Sequence, residues 1–227
     1  MEMEITIPDV LPVMTLPEVA FFPQALLPLR IFEPRYRQML KDVLADDRLF
    51  AVAGLRPAGE AASDEFEPPH RIASVGIVRA CQKNADGTSN LLLQGLCRAE
   101  LVEIVSDEPY RRVRVRALST EAGAPAAEIR ALRREVMQLL DLKAKFGAPL
   151  PSDITSFLRD VADPETFVDL AAFNLCEDAD LRQRLLETLD LNVRLSIFAR
   201  QLRLELAALK LRQKLQGSLG DDEISLN

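Results

Sequence analysis

The sequence holds a single histidine, no cysteines at CxxC spacing and no apolar run approaching the ~20 residues needed to span a bilayer. One histidine, His70, excludes a two-histidine metal centre and the HExxH helix of zinc proteases. No glycine precedes a lysine, so the phosphate-cradling Gly-Lys-Ser/Thr loop is absent, and neither GxSxG nor GxGxxG occurs. His70 follows Pro68 and Pro69 and reads as a surface loop residue, not a catalytic base. A Ser-Lys dyad leaves no fixed spacing to search for. The expectation is no catalytic set, no metal and no cofactor. Cys81, Cys97 and Cys176 are odd in number and far apart, which points to reduced thiols in a cytoplasmic protein. The opening MEMEITIPDV carries acids where a secretory signal carries Lys or Arg.

What is present is ordinary globular material. Of 227 residues, 48% are apolar and 28% charged, and a chain of this length buries roughly 70% of its unfolded surface. The net charge of −7 argues against a protein that coats nucleic acid or an anionic membrane.

The first half reads as strands with one helix. Val10–Leu16 and Ala25–Ile31 are apolar runs separated by a proline-containing bend. Pro34 suits a first helical position, and Tyr36, Met39, Leu40, Val43 and Leu44 then share one helical face. Leu49–Leu55, Arg71–Lys83, Asn90–Cys97, Ala99–Val105 and Arg111–Leu118 read as further strands, with Ala85-Asp86-Gly87 as a hairpin turn. The acid-rich Arg56–Pro69 segment reads as a long loop. Six or seven short strands with one helix suggest a small, partly closed barrel.

After the turn-rich Thr120–Pro125 the apolar period becomes helical. Ile129, Leu132, Val136, Leu139 and Leu140 make one stripe, and Ile154–Val161 is a second short segment. Asp163-Pro164 supplies a cap and a first-turn proline to the next helix, and Asp178 or Asp180 caps the one after. The last helix runs from near Asp190 to Gln216, with Gly217 as its stop. Leu195, Phe198, Leu202, Leu206 and Leu209 form its main stripe; Leu204, Leu211 and Leu215 lie off it, packed on a second side or free for an oligomer contact. The expected organisation is a β subdomain over 1–119, a helical subdomain over 120–216 and a disordered tail over 217–227.

Several residues match a known pattern. Leu16-Pro17, Phe22-Pro23, Leu27-Pro28-Leu29 and Ile31-Phe32-Glu33-Pro34-Arg35-Tyr36 resemble the opening of the Lon protease N-terminal domain. Val75-Gly76, Asp86-Gly87, Gly95 with Arg98, Pro109-Tyr110, Leu185-Leu186-Glu187 and Arg194-Leu195 extend the resemblance over roughly residues 10–216. It implies an α+β fold: a PUA-like β pseudo-barrel with one helix, then an all-helical bundle ending in a long helix. In full-length Lon proteases an ATPase domain and a Ser-Lys protease domain follow this region. Here the chain ends about ten residues past the last helix, so the resemblance implies a stand-alone, non-catalytic polypeptide-binding module or proteolysis adaptor. Its implied partners are unfolded or client polypeptides and a protease or ATPase subunit, with self-association through the last helix.

The motif residues allow two roles each. Phe21, Phe22, Phe32 and Tyr36 either pack the core or line an apolar groove for client segments. Arg35, Glu33 and Arg98 either form a charge network holding helix to sheet or line that groove. An alternative function is RNA binding through the basic strand Arg111–Arg116, as in other PUA-like barrels. Against it, residues 67–145 contain no Phe or Trp and one Tyr, so that sheet lacks base-stacking platforms.

Overall fold

The computed structural model describes residues 5–56, 68–147 and 150–217. Most of the acid-rich Arg56–Pro69 loop, and the expected tail past Gly217, lie outside the described residues. The strands are β1 (Val10–Leu16), β2 (Leu26–Ile31), β3 (Leu49–Gly54), β4 (Ile72–Lys83), β5 (Ser89–Ser106) and β6 (Arg112–Leu118), with helix α1 (Pro34–Ala45) between β2 and β3. Their order is β2-β5-β4-β3-β1-β6, with β6 also paired to β5. Only the β1–β3 pair is parallel among these.

The fold is α+β, and the sheet curls through β5 into a pseudo-barrel. The pattern predicts two strands over 90–105, but β5 is one strand of 18 residues. Its first half pairs with β2 and β4, and its second half with β4 and β6. Register shifts at Val75/Gly76, Val78/Ala80, Leu101/Glu103 and Ile104/Ser106 bend it enough to serve both edges. Gly95 sits at this bend because a Cβ there would overlap the Phe22 carbonyl. That close approach lets Gly95 donate to Ala25 O and accept from Gln24 N, each at 2.9 Å.

The interior is narrow and filled accordingly. Leu11, Val13, Leu49, Val75, Leu101, Val113 and Val115 enclose it with four alanines, Ala51, Ala53, Ala73 and Ala99. Period-2 alternation in β6 puts Val113 and Val115 inside and its arginines outside. On α1, Tyr36, Met39, Leu40 and Val43 are buried and Pro34 occupies the first turn, as the spacing predicts.

The helices are α2 (Ala126–Lys145), α3 (Ser152–Asp160), α4 (Pro164–Leu175), α5 (Ala179–Glu187) and α6 (Leu191–Gly217). Side-chain caps start three of them. Asp163 accepts from Thr166 N at 2.8 Å, Asp178 from Leu181 N at 2.9 Å and Asp190 from Val193 N at 2.9 Å. No described helix is long and apolar enough to cross a membrane.

The chain divides into two compact units. One takes in the chain through Glu121 together with Asp169–Leu189; the other takes in Ala122–Val168 and the chain from Asp190. Asp169–Leu189 is helical in pattern yet packs with the sheet, and the reason is polar. Arg98 of β5 and Asp169 of α4 are both buried, joined by two hydrogen bonds of 2.7 Å. Arg98 Nε donates to Leu186 O at 2.9 Å, and Gln183 Nε2 donates to Ile72 O at 3.1 Å. In the other unit α2 packs along α6, and Lys143 pairs with Glu205 at 2.7 Å. Arg133 donates to the carbonyls ending α3 and lies 4.7 Å from the Phe167 ring centroid.

Removing one partner of a buried pair leaves the other charge uncompensated. Asp169→Ala is therefore expected to cost about 3–5 kcal/mol in urea unfolding, while Arg98→Met with Asp169→Leu recovers most of it. A loss below about 1 kcal/mol for Asp169→Ala would show that 169–189 docks without this pair.

Candidate functional site

The six residues singled out by the motif do not form one surface. Phe21 and Phe22 are fully buried; Phe21 packs edge-on to Phe173 with centroids 6.4 Å apart, and Arg98 lies over the Phe22 ring at 5.7 Å. Tyr36 is buried with its hydroxyl against β1, accepting from Thr15 N at 3.2 Å and donating to Thr15 O at 3.3 Å. Arg98 is committed to Asp169 and Leu186. These four residues hold the fold. Arg35 is exposed, paired with Glu33 at 2.9 Å and stacked 4.5 Å over the outer face of the Tyr36 ring. The charge network read from Arg35, Glu33 and Arg98 thus separates into a local surface pair and a buried pair to a different acid.

Phe32 points the other way. At 63% exposure it is the most exposed large apolar side chain among the described residues, and Leu26, at the start of the same edge strand β2, is 51% exposed. Ile31, next to Phe32, pairs with Ser89, which lines a groove of about 640 Å³ between α1 and the β4–β5 hairpin. Pro34, Leu40, Leu44 and Ala45 contribute its apolar surface, and Arg37, Lys41 and Lys83 its charge. The hairpin wall is well ordered by its turn. Asp86 accepts from Thr88 N at 2.9 Å and Thr88 Oγ1 at 2.7 Å, which holds its carboxyl below the usual carboxylate range, helped by Arg30 at 3.6 Å. The pattern reading missed this groove because its residues are far apart in sequence. The available signal was Arg37 and Lys41 one turn apart on the polar face of α1.

Two other places carry less. A pocket of about 250 Å³ is lined by Glu18, Gly54, His70, Asp178, Asp180 and Gln183. There His70 Nδ1 lies 3.4 Å from Glu187 Oε1, which also accepts from Gln183 Nε2 at 2.8 Å. Among the described residues no group of His, Cys, Asp and Glu is placed to hold a metal ion. Three of the four arginines of the basic strand are already engaged by acids: Arg111 pairs with Asp107 at 2.8 Å, Arg114 with Glu103 at 2.8 Å, and Arg116 with Glu100. That arrangement leaves little free charge for a phosphate backbone.

Comparison with known proteins adds the following. The sequence model of the ATP-dependent protease La (LON) substrate-binding domain matches residues 10–203. The chain is 28% identical over 218 residues to a Lon protease of Syntrophus aciditrophicus, covering 95% of this chain and 28% of that protein. It is 30% identical over 192 residues to a Lon protease of Trichlorobacter lovleyi, covering 83% and 23%. The chain thus spans about a quarter of the length of these curated relatives. Among solved structures, the N-terminal domain of the Mycobacterium avium complex Lon protease superposes with a TM-score of 0.66 at 19% identity, covering 86% of this chain and 98% of that one. A Lon N-terminal domain protein from Xanthomonas campestris gives 0.54 at 18% identity, covering 82% and 95%. These two likenesses establish the fold.

The three cysteines should separate by burial. Cys81 is exposed on the groove wall, Cys97 is half-buried with its thiol pushed up by burial, and Cys176 is buried. Alkylation of the native protein followed by intact mass is expected to show one fast thiol, with the other two reacting only on unfolding. Two fast thiols would mean that the β4–β5 region opens in solution.

Proposed function

The chain belongs to the LON substrate-binding-domain family, and from that premise we propose that it is a non-catalytic module that holds exposed apolar segments of client polypeptides. The observation that carries this reading is Phe32, an aromatic side chain left 63% exposed inside a motif whose other aromatics are buried. Phe32 and Leu26 offer apolar contact at an edge strand, and the groove beside α1 adds a second apolar lining in Pro34, Leu40, Leu44 and Ala45. The phosphate-cradling Gly-Lys-Ser/Thr loop that an ATPase part would need does not occur in this sequence. Its partners on this reading are client chains and a separate protease or ATPase subunit that consumes them, in a reducing cytoplasm where three thiols outside any disulfide are stable.

A second surface suits self-association. Leu204, Leu211 and Leu215 on α6 are each 59% exposed and recur at helical spacing. Truncation after Leu209 is expected to convert a dimer to a monomer in sedimentation, and an unchanged mass would remove this surface from the assembly.

Burial of apolar surface at ~25 cal/mol per Å², offset by ordering of the client, predicts micromolar affinity for a fluorescent uncharged apolar peptide, persisting in high salt. Phe32→Ala is expected to weaken that binding several-fold by anisotropy, while stability stays within about 0.5 kcal/mol because the site is exposed. The purified protein should neither hydrolyse ATP nor cleave unfolded casein. Cleavage abolished by replacing one serine would overturn the non-catalytic reading.

A further inference from the structure

The molecule is acidic, with a net charge of −7, yet the groove between α1 and the β4–β5 hairpin is lined by three cations and no carboxylate. Among the described residues no acid lies within ion-pairing distance of Arg37, Lys41 or Lys83. Elsewhere in the same unit several arginines sit against acids: Arg30 against Asp86, Arg35 against Glu33, Arg114 against Glu103, and Arg71 and Arg116 together against Glu100. Three like charges around one concavity repel each other, and an anion placed between them relieves that repulsion.

Arg37 is also positioned. Gly87, at φ +78°, tops the hairpin turn, and a Cβ there would lie 2.6 Å from Arg37 Nη2 and 3.3 Å from its Cζ. The guanidinium therefore rests against the glycine, whose positive φ is what favours glycine at this turn. The neighbouring acid, Asp86, is turned to Thr88 and Arg30. The groove's apolar lining is Pro34, Leu40, Leu44 and Ala45, and no aromatic ring lines it. An apolar lining flanked by three cations fits a carboxylate-bearing, apolar polypeptide segment. A nucleic acid would gain the charge but find no ring on which to stack a base.

We propose that this groove selects, among apolar client segments, those that carry Asp or Glu, with Arg37, Lys41 and Lys83 as the recognising cations. The inference rests on the polypeptide-binding reading above and adds a substrate class to it. The attraction is electrostatic and partly exposed, so it acts as selectivity laid over apolar burial and is screened by salt.

The test uses the full chain and three fluorescent peptides with identical apolar residues and two flanking positions filled by Asp, Ser or Lys. In low salt the Asp peptide is expected to bind roughly tenfold more tightly than the Lys peptide and to slow alkylation of Cys81 on the groove wall. Lys41→Glu with Lys83→Glu, both at exposed positions, should reverse that order, and Arg37→Gln should reduce it. Unchanged thermal unfolding of the variants confirms that the effect is local. Equal affinities for all three peptides, in wild type and charge-reversed protein alike, would overturn acidic selection while leaving the polypeptide-binding module standing. Failure of every peptide to bind would overturn both. Preference for a single-stranded oligouridine over the Asp peptide would assign the cations to nucleic acid and overturn the proposal.

Discussion

A guanidinium buried in an apolar interior is tolerable only if nearly all its donors are used, and Arg98 constrains much of the structure for that reason. Its Nη1 and Nη2 meet the two Asp169 oxygens and its Nε meets Leu186 O, with the Phe22 ring below. Such a pair contributes little net stability compared with a well-packed apolar pair, because desolvation offsets most of the attraction. What it contributes is uniqueness: a planar fork accepts one placement of Asp169 and one of the α4–α5 segment. The surrounding contacts follow from that placement. Gln183 reaches Ile72 O at 3.1 Å, and Arg182 reaches Glu18 O at 3.0 Å. Gly54 has no room for a Cβ, which would lie 2.7 Å from Val19 O.

The Ile31–Tyr36 block divides into parts that build and parts that face solvent. Ile31 pairs in the sheet, Pro34 starts α1, and Tyr36 fixes α1 to β1 through Thr15. Phe32 has no such task and remains exposed, although an aromatic left in water gains nothing for the fold. A motif of this kind identifies a family mainly through its structural members, so its most specific residues are poor guides to where a ligand sits. The informative ones are those whose burial does not account for their chemistry.

That distinction explains what the pattern of residues could and could not convey. Strand β6, helix α1 and the Asp163 and Asp178 caps were legible because each is a local matter of period and capping. The continuity of β5 was not, since its bends depend on register shifts against two partners and on Gly95 meeting Phe22. The packing of 169–189 with the sheet was not, since it turns on one acid finding an arginine 71 residues away. Asp169 did leave a trace: it is a charge inside the otherwise apolar Phe167–Ala172 face of α4. The groove was hidden for the same reason, as Lys83 joins Arg37 and Lys41 only once the hairpin folds beside α1.

Charge placement then follows a single logic across the unit that contains the sheet. On the β5–β6 face, Arg114 meets Glu103 and Arg116 meets Glu100 across the ladder, so most of that face's positive charge is offset. In the groove the cations are left uncancelled, although the chain has an excess of acids from which a local partner could have been drawn. A fold optimised for stability alone would pair them, because like charges at i and i+4, as Arg37 and Lys41 are, weaken a helix. Keeping them unpaired is a cost that a bound carboxylate removes. The same site would hold apolar segments weakly and acidic apolar segments better, which separates recognition by burial from discrimination by charge.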